Sequence, residues 1–117
     1  MTIENWQEQL RRGTLELAVL LAVAPERRYG LEILRRLEVT DLVLTEGTIY
    51  PLLARLEREG LLSAAWVDNE GPHPRKYYRL TPQGRARMKA MCGQFRTVAS
   101  GMEQMIASVL GDNDEVK

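Results

Sequence analysis

Ile49, Leu52, Leu53 and Leu56 recur at i, i+3, i+4 and i+7, the apolar stripe of a short helix. Thr45 ahead of them is a good N-cap, Glu46 puts an acid in the first turn, and Gly60 marks the stop. Pro51 removes a backbone donor and restricts Tyr50, so this helix is expected to open irregularly and become regular from Pro51. Upstream, the pattern predicts a helix from Asn5, as its cap, to Ala24. Its second half, with Leu15, Leu17, Val19, Leu20, Leu21 and Val23, leaves little polar surface, the mark of a helix in the middle of a small fold. Pro25 ends it, and Glu26-Arg27-Arg28 is a charged turn. A second helix is expected over Tyr29 to Glu38, with Leu31, Ile33, Leu34 and Leu37 apolar. Val39 to Leu44 then reads as a short, partly extended connector.

From Leu61 the period becomes two. Leu62, Ala64 and Trp66 alternate with Ser63, Ala65 and Val67, a strand with Trp66 on its core or strand face. The turn formers of Asp68 to Pro74 follow, and Arg75 to Leu80 returns as an aromatic-rich strand. Three helices followed by a hairpin is the order of a winged helix-turn-helix. Thr81-Pro82 starts a last helix with no stop before Gly111. Its apolar positions Met88, Cys92, Phe95, Ala99, Met102, Ile106 and Val109 are spaced alternately by four and three, a seam for another helix, here one from a second chain. The expected fold is mostly α with a small β-hairpin. Residues 1–81 would form the winged helix-turn-helix, 82–110 a dimerisation helix and 111–117 a disordered acidic tail.

The formal net charge is zero, which argues against a protein that is basic overall. The distribution changes that picture. From Gly71 to Ala90 every charged residue is basic, namely Arg75, Lys76, Arg79, Arg85, Arg87 and Lys89. Phosphate binding depends on charges near the strand, so a local basic surface suffices for DNA. The face of the 45–59 helix opposite its apolar stripe carries Gly47, Pro51, Ala54 and Arg58, with Thr48 and Arg55 on one flank and Tyr50 on the other. It is small in the middle, rimmed by hydrogen-bonding and cationic groups, and free of acid, as a major-groove helix must be. Thr48, Tyr50, Arg55 and Arg58 are therefore candidate groove contacts. Arg55 fits either a guanine edge or a phosphate. The competing reading packs Tyr50 on the core edge and pairs Arg55 with Glu59. Arg75 and Lys76 are candidate wing contacts to phosphate or the minor groove.

Several of these motifs resemble one family. Thr45-Glu46-Gly47-Thr48-Ile49-Tyr50-Pro51, Leu56-Glu57-Arg58-Glu59-Gly60-Leu61, Pro74-Arg75-Lys76-Tyr77-Tyr78-Arg79-Leu80-Thr81 and Gly84 are similar to the PadR family of transcriptional regulators. So are Arg12-Gly13-Thr14-Leu15-Glu16-Leu17 and Tyr29-Gly30. The single C-terminal helix resembles the family's short branch. The resemblance implies a homodimeric repressor whose two recognition helices enter successive major grooves of an inverted repeat. It also implies possible release by a small aromatic effector, which in some short members lies between facing C-terminal helices against a tryptophan. Here Phe95 stands at that position and the helix has no tryptophan; Met91, Val98 and Met102 would complete such a pocket, with plain dimer packing as the simpler use of the same residues.

Other classes find less support. A winged-helix protein-interaction module without specific DNA binding is the alternative, favoured by the neutral net charge. Nothing points to an enzyme, since the chain lacks a Gly-rich phosphate loop, a zinc spacing and a nucleophile motif, and has one histidine. No cofactor or metal is expected. The longest apolar run, Leu15 to Ala24, contains Glu16 and is too short for a bilayer, and no signal peptide is legible, so no membrane partner and a cytoplasmic location are expected.

Overall fold

The computed structural model describes residues 2–42, 44–68 and 71–111. Helix α1 runs over Ile3–Val23. Its cap is Thr2 rather than Asn5: the Asn5 amide donates to Thr2 Oγ1 at 3.1 Å, so the polar pair spans the N-terminus one turn earlier than expected. Strand β1 is only Arg28–Tyr29, and helix α2, Gly30–Leu37, follows without a break. The Tyr29 amide donates to the Glu32 carboxylate at 3.2 Å, closing the first turn of α2. A 3₁₀ turn over Glu38–Thr40 begins the connector that was expected to be short and partly extended.

Helix α3 spans Glu46–Arg58 and is α-helical from its first turn, with Pro51 inside it. The irregular start expected from Pro51 is absent, because the proline lies on the exposed outer face, where one missing amide leaves the core contacts intact. Thr45 holds the cap position with an extended backbone. Its side chain makes no capping bond and lies instead 3.4 Å from the Thr48 hydroxyl. Strands β2, Leu62–Val67, and β3, Arg75–Leu80, form the hairpin.

The sheet has three strands in the order β1-β3-β2, all antiparallel, against the two-stranded hairpin that the pattern predicts. Two residues are too few to show a period, and β1 exists only because β3 is there to pair with it. One face of the hairpin carries Leu62 opposite Leu80, Ala64 opposite Tyr78 and Trp66 opposite Lys76. Burial fades along that row: Leu62 and Tyr78 are in the core, while Trp66 is 69% exposed at the outer end of the hairpin. Trp66 is thus not a core residue.

The core is built from Val19, Leu20 and Val23 of α1, Ile33 and Leu37 of α2, Ile49, Leu53 and Leu56 of α3, and Leu62. At its edge Thr81 ties the sheet to the last helix. The Thr81 hydroxyl donates to the Gly60 carbonyl at 2.6 Å and accepts the Gly84 amide at 2.9 Å. Gly84 is packed so closely there that a Cβ would collide with the Leu61 carbonyl oxygen. Helix α4, Pro82–Leu110, is docked through Gly84 and Met88, with Met91 and Cys92 half-buried, and its later residues are largely exposed. Met88, expected on the seam between chains, is buried in the protomer's own core, because the seam's first step falls where α4 is still against α1. Apart from Gly111, the expected acidic tail lies outside the described residues. Among the described residues, no helix is long and apolar enough to cross a membrane.

Candidate nucleic-acid interface

The buried stripe of α3 fixes which of its residues face outward. With Ile49, Leu53 and Leu56 fully buried, Gly47, Pro51 and Arg58 stand exposed on the far side and Ala54 is half-buried. Thr48 is exposed on one flank of that face. Tyr50 holds the other flank at 42% exposure, its ring lying over Gly30 at the start of α2. A Cβ on Gly30 would sit 2.5 Å from Tyr50 Cε1 and 2.6 Å from its hydroxyl, so glycine there lets the phenol cross the α2 N-terminus. Partial burial, with a smaller contribution from Glu46, pushes the Tyr50 hydroxyl above its ordinary pKa. It is a hydrogen-bonding group that stays protonated.

The remaining flank position, Arg55, and the wing residue Lys76 are both tied down by carboxylates. Arg55 donates through Nη1 to Glu59 at 3.0 Å and through Nη2 to Glu16 of α1 at 3.2 Å. These hydrogen bonds, first Glu59 and then Glu16, raise the guanidinium's pKa further. Glu16 accepts a second guanidinium on its other oxygen, Arg87 Nη1 of α4, at 3.1 Å. On the Tyr50 side, Lys76 of β3 lies 3.2 Å from Glu57 of α3 and so fastens the wing to the helix. The Lys76 ammonium also sits 5.6 Å from the Tyr78 ring centre and 6.0 Å from that of Trp66. Of the six residues proposed from sequence, Thr48, Tyr50 and Arg58 line one continuous face of α3. Arg75 stands on the neighbouring wing, and Arg55 and Lys76 serve as struts on either side.

Arg75 belongs to an arrangement that the sequence did not reveal. Its guanidinium lies over the Tyr29 ring at 4.4 Å, Tyr29 meets Tyr77 edge-on at 5.4 Å, and Arg27 lies over Tyr77 at 4.6 Å. The pairing of Tyr29 with Tyr77 across β1 and β3 creates this ladder. Arg27 had only the look of a charged turn, and no sequence signal short of the third strand would have placed it. Among the described residues, Arg27, Arg58 and Arg75 have no carboxylate within ion-pair distance. These three cations are open to an anion.

A sequence profile described as the transcriptional regulator PadR-like family matches residues 19–90, more than half of the chain. The chain belongs to the PadR-like family. It is a transcriptional regulator, not an enzyme, and PadR regulators act by binding DNA. The chain is 33% identical over 78 residues to the transcriptional regulator Rv3488 of Mycobacterium tuberculosis, covering 67% of this chain and 72% of that one. A PadR family transcriptional regulator from Eggerthella lenta superposes with a TM-score of 0.77 at 35% identity, over 89% of this chain and 91% of that one. A PadR-like regulator from Bacillus cereus gives 0.75 at 28% identity, over 84% and 96%. The PadR winged-helix fold is therefore shared along nearly the whole described chain, α4 included.

A second surface of this PadR-like chain is apolar. Phe95, Val98, Met102, Ile106 and Val109 of α4 are exposed, as are Ile3, Trp6 and Leu10 of α1. An open groove of about 580 Å³ lies beside them, lined by Leu10, Leu17, Leu21, Val39, Cys92 and Phe95. Leu21, expected inside, is 44% exposed on this groove. Of the expected seam, the chain thus leaves Phe95, Met102, Ile106 and Val109 exposed, with Cys92 and Ala99 half-buried and Met88 in the core.

Proposed function

We propose that this chain is a sequence-specific, homodimeric repressor of the short PadR branch, acting in the cytoplasm on an inverted repeat. The observation that carries the DNA reading is the outer face of α3, exposed and carrying Arg58, which like Arg75 on the neighbouring wing has no carboxylate partner among the described residues. Thr48, Tyr50 and Arg58 would meet the major groove, and Arg75 with Arg27 would hold the flanking phosphates. Arg55 and Lys76 would contribute charge to the same surface while holding α3 and the wing in place. Residues 82–110 form the dimerisation helix in this reading: the exposed Phe95, Met102, Ile106 and Val109 are too large an apolar row to be left in water. A flat aromatic effector would lie between the facing α4 helices, against Phe95, Met91, Val98 and Met102, and release the operator by changing the spacing of the two α3 helices.

Fluorescence anisotropy of labelled duplex from upstream of the chain's own coding region tests this, with unrelated duplex as competitor. Binding should resist the competitor and weaken with salt at a slope of about 0.9 per phosphate contact. Equal affinity for both duplexes, or none for either, would favour the protein-interaction module instead.

A further inference from the structure

Glu16 interrupts the most apolar part of α1, and its side chain is only 21% exposed. An acid in that place needs partners, and it has two from different helices. Oε1 accepts from Arg55 of α3 at 3.2 Å and Oε2 accepts from Arg87 of α4 at 3.1 Å. Arg55 is held again by Glu59 at 3.0 Å, so two carboxylates and two guanidiniums alternate across the three helices. The two arginines are half-exposed, and pairs of that kind add little to stability. What the arrangement does fix is direction. Arg87 lies in the docked first turns of α4, next to Met88, just before the helix leaves the core. A shift of those docked turns against α1 moves the Arg87 guanidinium, and with it the carboxylate that holds α3.

We infer that Glu16 is a positioning residue that sets the angle of α3 against α4, so that the placement of the apolar helix is passed to the groove-reading helix. This rests on the DNA reading proposed above. Both oxygens of Glu16 are taken up by protein partners, so in this reading it does not itself contact nucleic acid. Its removal should therefore spoil the fit to one sequence without removing the attraction to phosphates in general.

The test uses the full chain and a duplex selected from a random pool by the unsubstituted protein, compared with an unrelated duplex. Glu16→Gln keeps the shape of the side chain and removes its charge; Arg87→Met cuts only the arm to α4. In both, the preference for the selected duplex should fall about tenfold. In Glu16→Gln affinity for the unrelated duplex should not fall, and in both variants the dimer measured by sedimentation should stay as it was. The two losses should also be non-additive in the double variant, because both act through one carboxylate. Arg87→Met carries the test alone if Glu16→Gln does not fold. Unchanged preference, or parallel loss of affinity for both duplexes, would overturn the inference while leaving the DNA reading intact. Failure of the unsubstituted protein to enrich any sequence would overturn both.

Discussion

Helices α3 and α4 each keep a face that the protomer leaves open, and the two faces are chemically opposite. On α3 the open face is Gly47, Pro51 and Arg58, with Thr48 and Tyr50 beside them. On α4 it is Phe95, Val98, Met102, Ile106 and Val109. Both helices bury a stripe on the same core. The first open face has little to gain from an apolar surface and fits an anionic one; the second gains from shedding water and nothing else. In the proposed reading it is therefore chemistry, and not exposure, that assigns a partner to each face. The α3 face is also held from both sides, by Glu16 and Glu59 on Arg55 and by Lys76 on Glu57. The α4 face past Cys92 has no comparable brace among the described residues.

The largest effect should come from making the apolar face polar. Ile106→Asp should give monomers in sedimentation at micromolar concentration and lower operator affinity by at least about a hundredfold, through loss of the second half-site. Unchanged dimers would mean that α4 pairs elsewhere. Next is the joint on which both helices depend. Gly84→Ala drives a methyl group into the Leu61 carbonyl and should cost about 3 kcal/mol in denaturant unfolding. A stable variant would show that the α4 start can slide. Arg58→Ala should lower specific affinity about tenfold with no change in the thermal midpoint, since its side chain is exposed and unpaired among the described residues. Arg55→Ala should also lower affinity, with little change in the thermal midpoint, because the two ion pairs it empties are half-exposed.

The smallest effect is a titration. Burial pushes the Tyr78 phenol above its ordinary pKa of about 10. The unfolded chain then loses that proton first as pH rises, so folding stability declines from about pH 10 up to the raised value and gains nothing below it. Tyr78→Phe should blunt that alkaline decline in thermal midpoints measured against pH.

The elements that show a period were legible in the sequence. The stripe of α3 repeats often enough to declare both type and buried side, while the alternation of β2 and the spacing of α4 declare the type of element. Two-residue β1 does not repeat, so the third strand and its Arg27–Tyr77–Tyr29–Arg75 ladder stayed hidden. Trp66 kept the right alternation yet lies past the end of the core, because period fixes a face and not how far the core extends beneath it. Met88 failed for the complementary reason: a heptad spacing cannot say which part of a helix packs at home. The ion pairs are the least legible feature. Glu16 meets Arg55 across 39 positions and Arg87 across 71, and only the packed helices bring them together.

The central claim is that the two open faces take different partners, and photo-crosslinking tests it most directly. A photoreactive residue is placed at position 58 in one preparation and at position 102 in another, and each is irradiated with the duplex bound. The account predicts a protein–DNA adduct from position 58 and a protein–protein dimer from position 102. Protein–protein adducts from position 58, or DNA adducts from position 102, would contradict it.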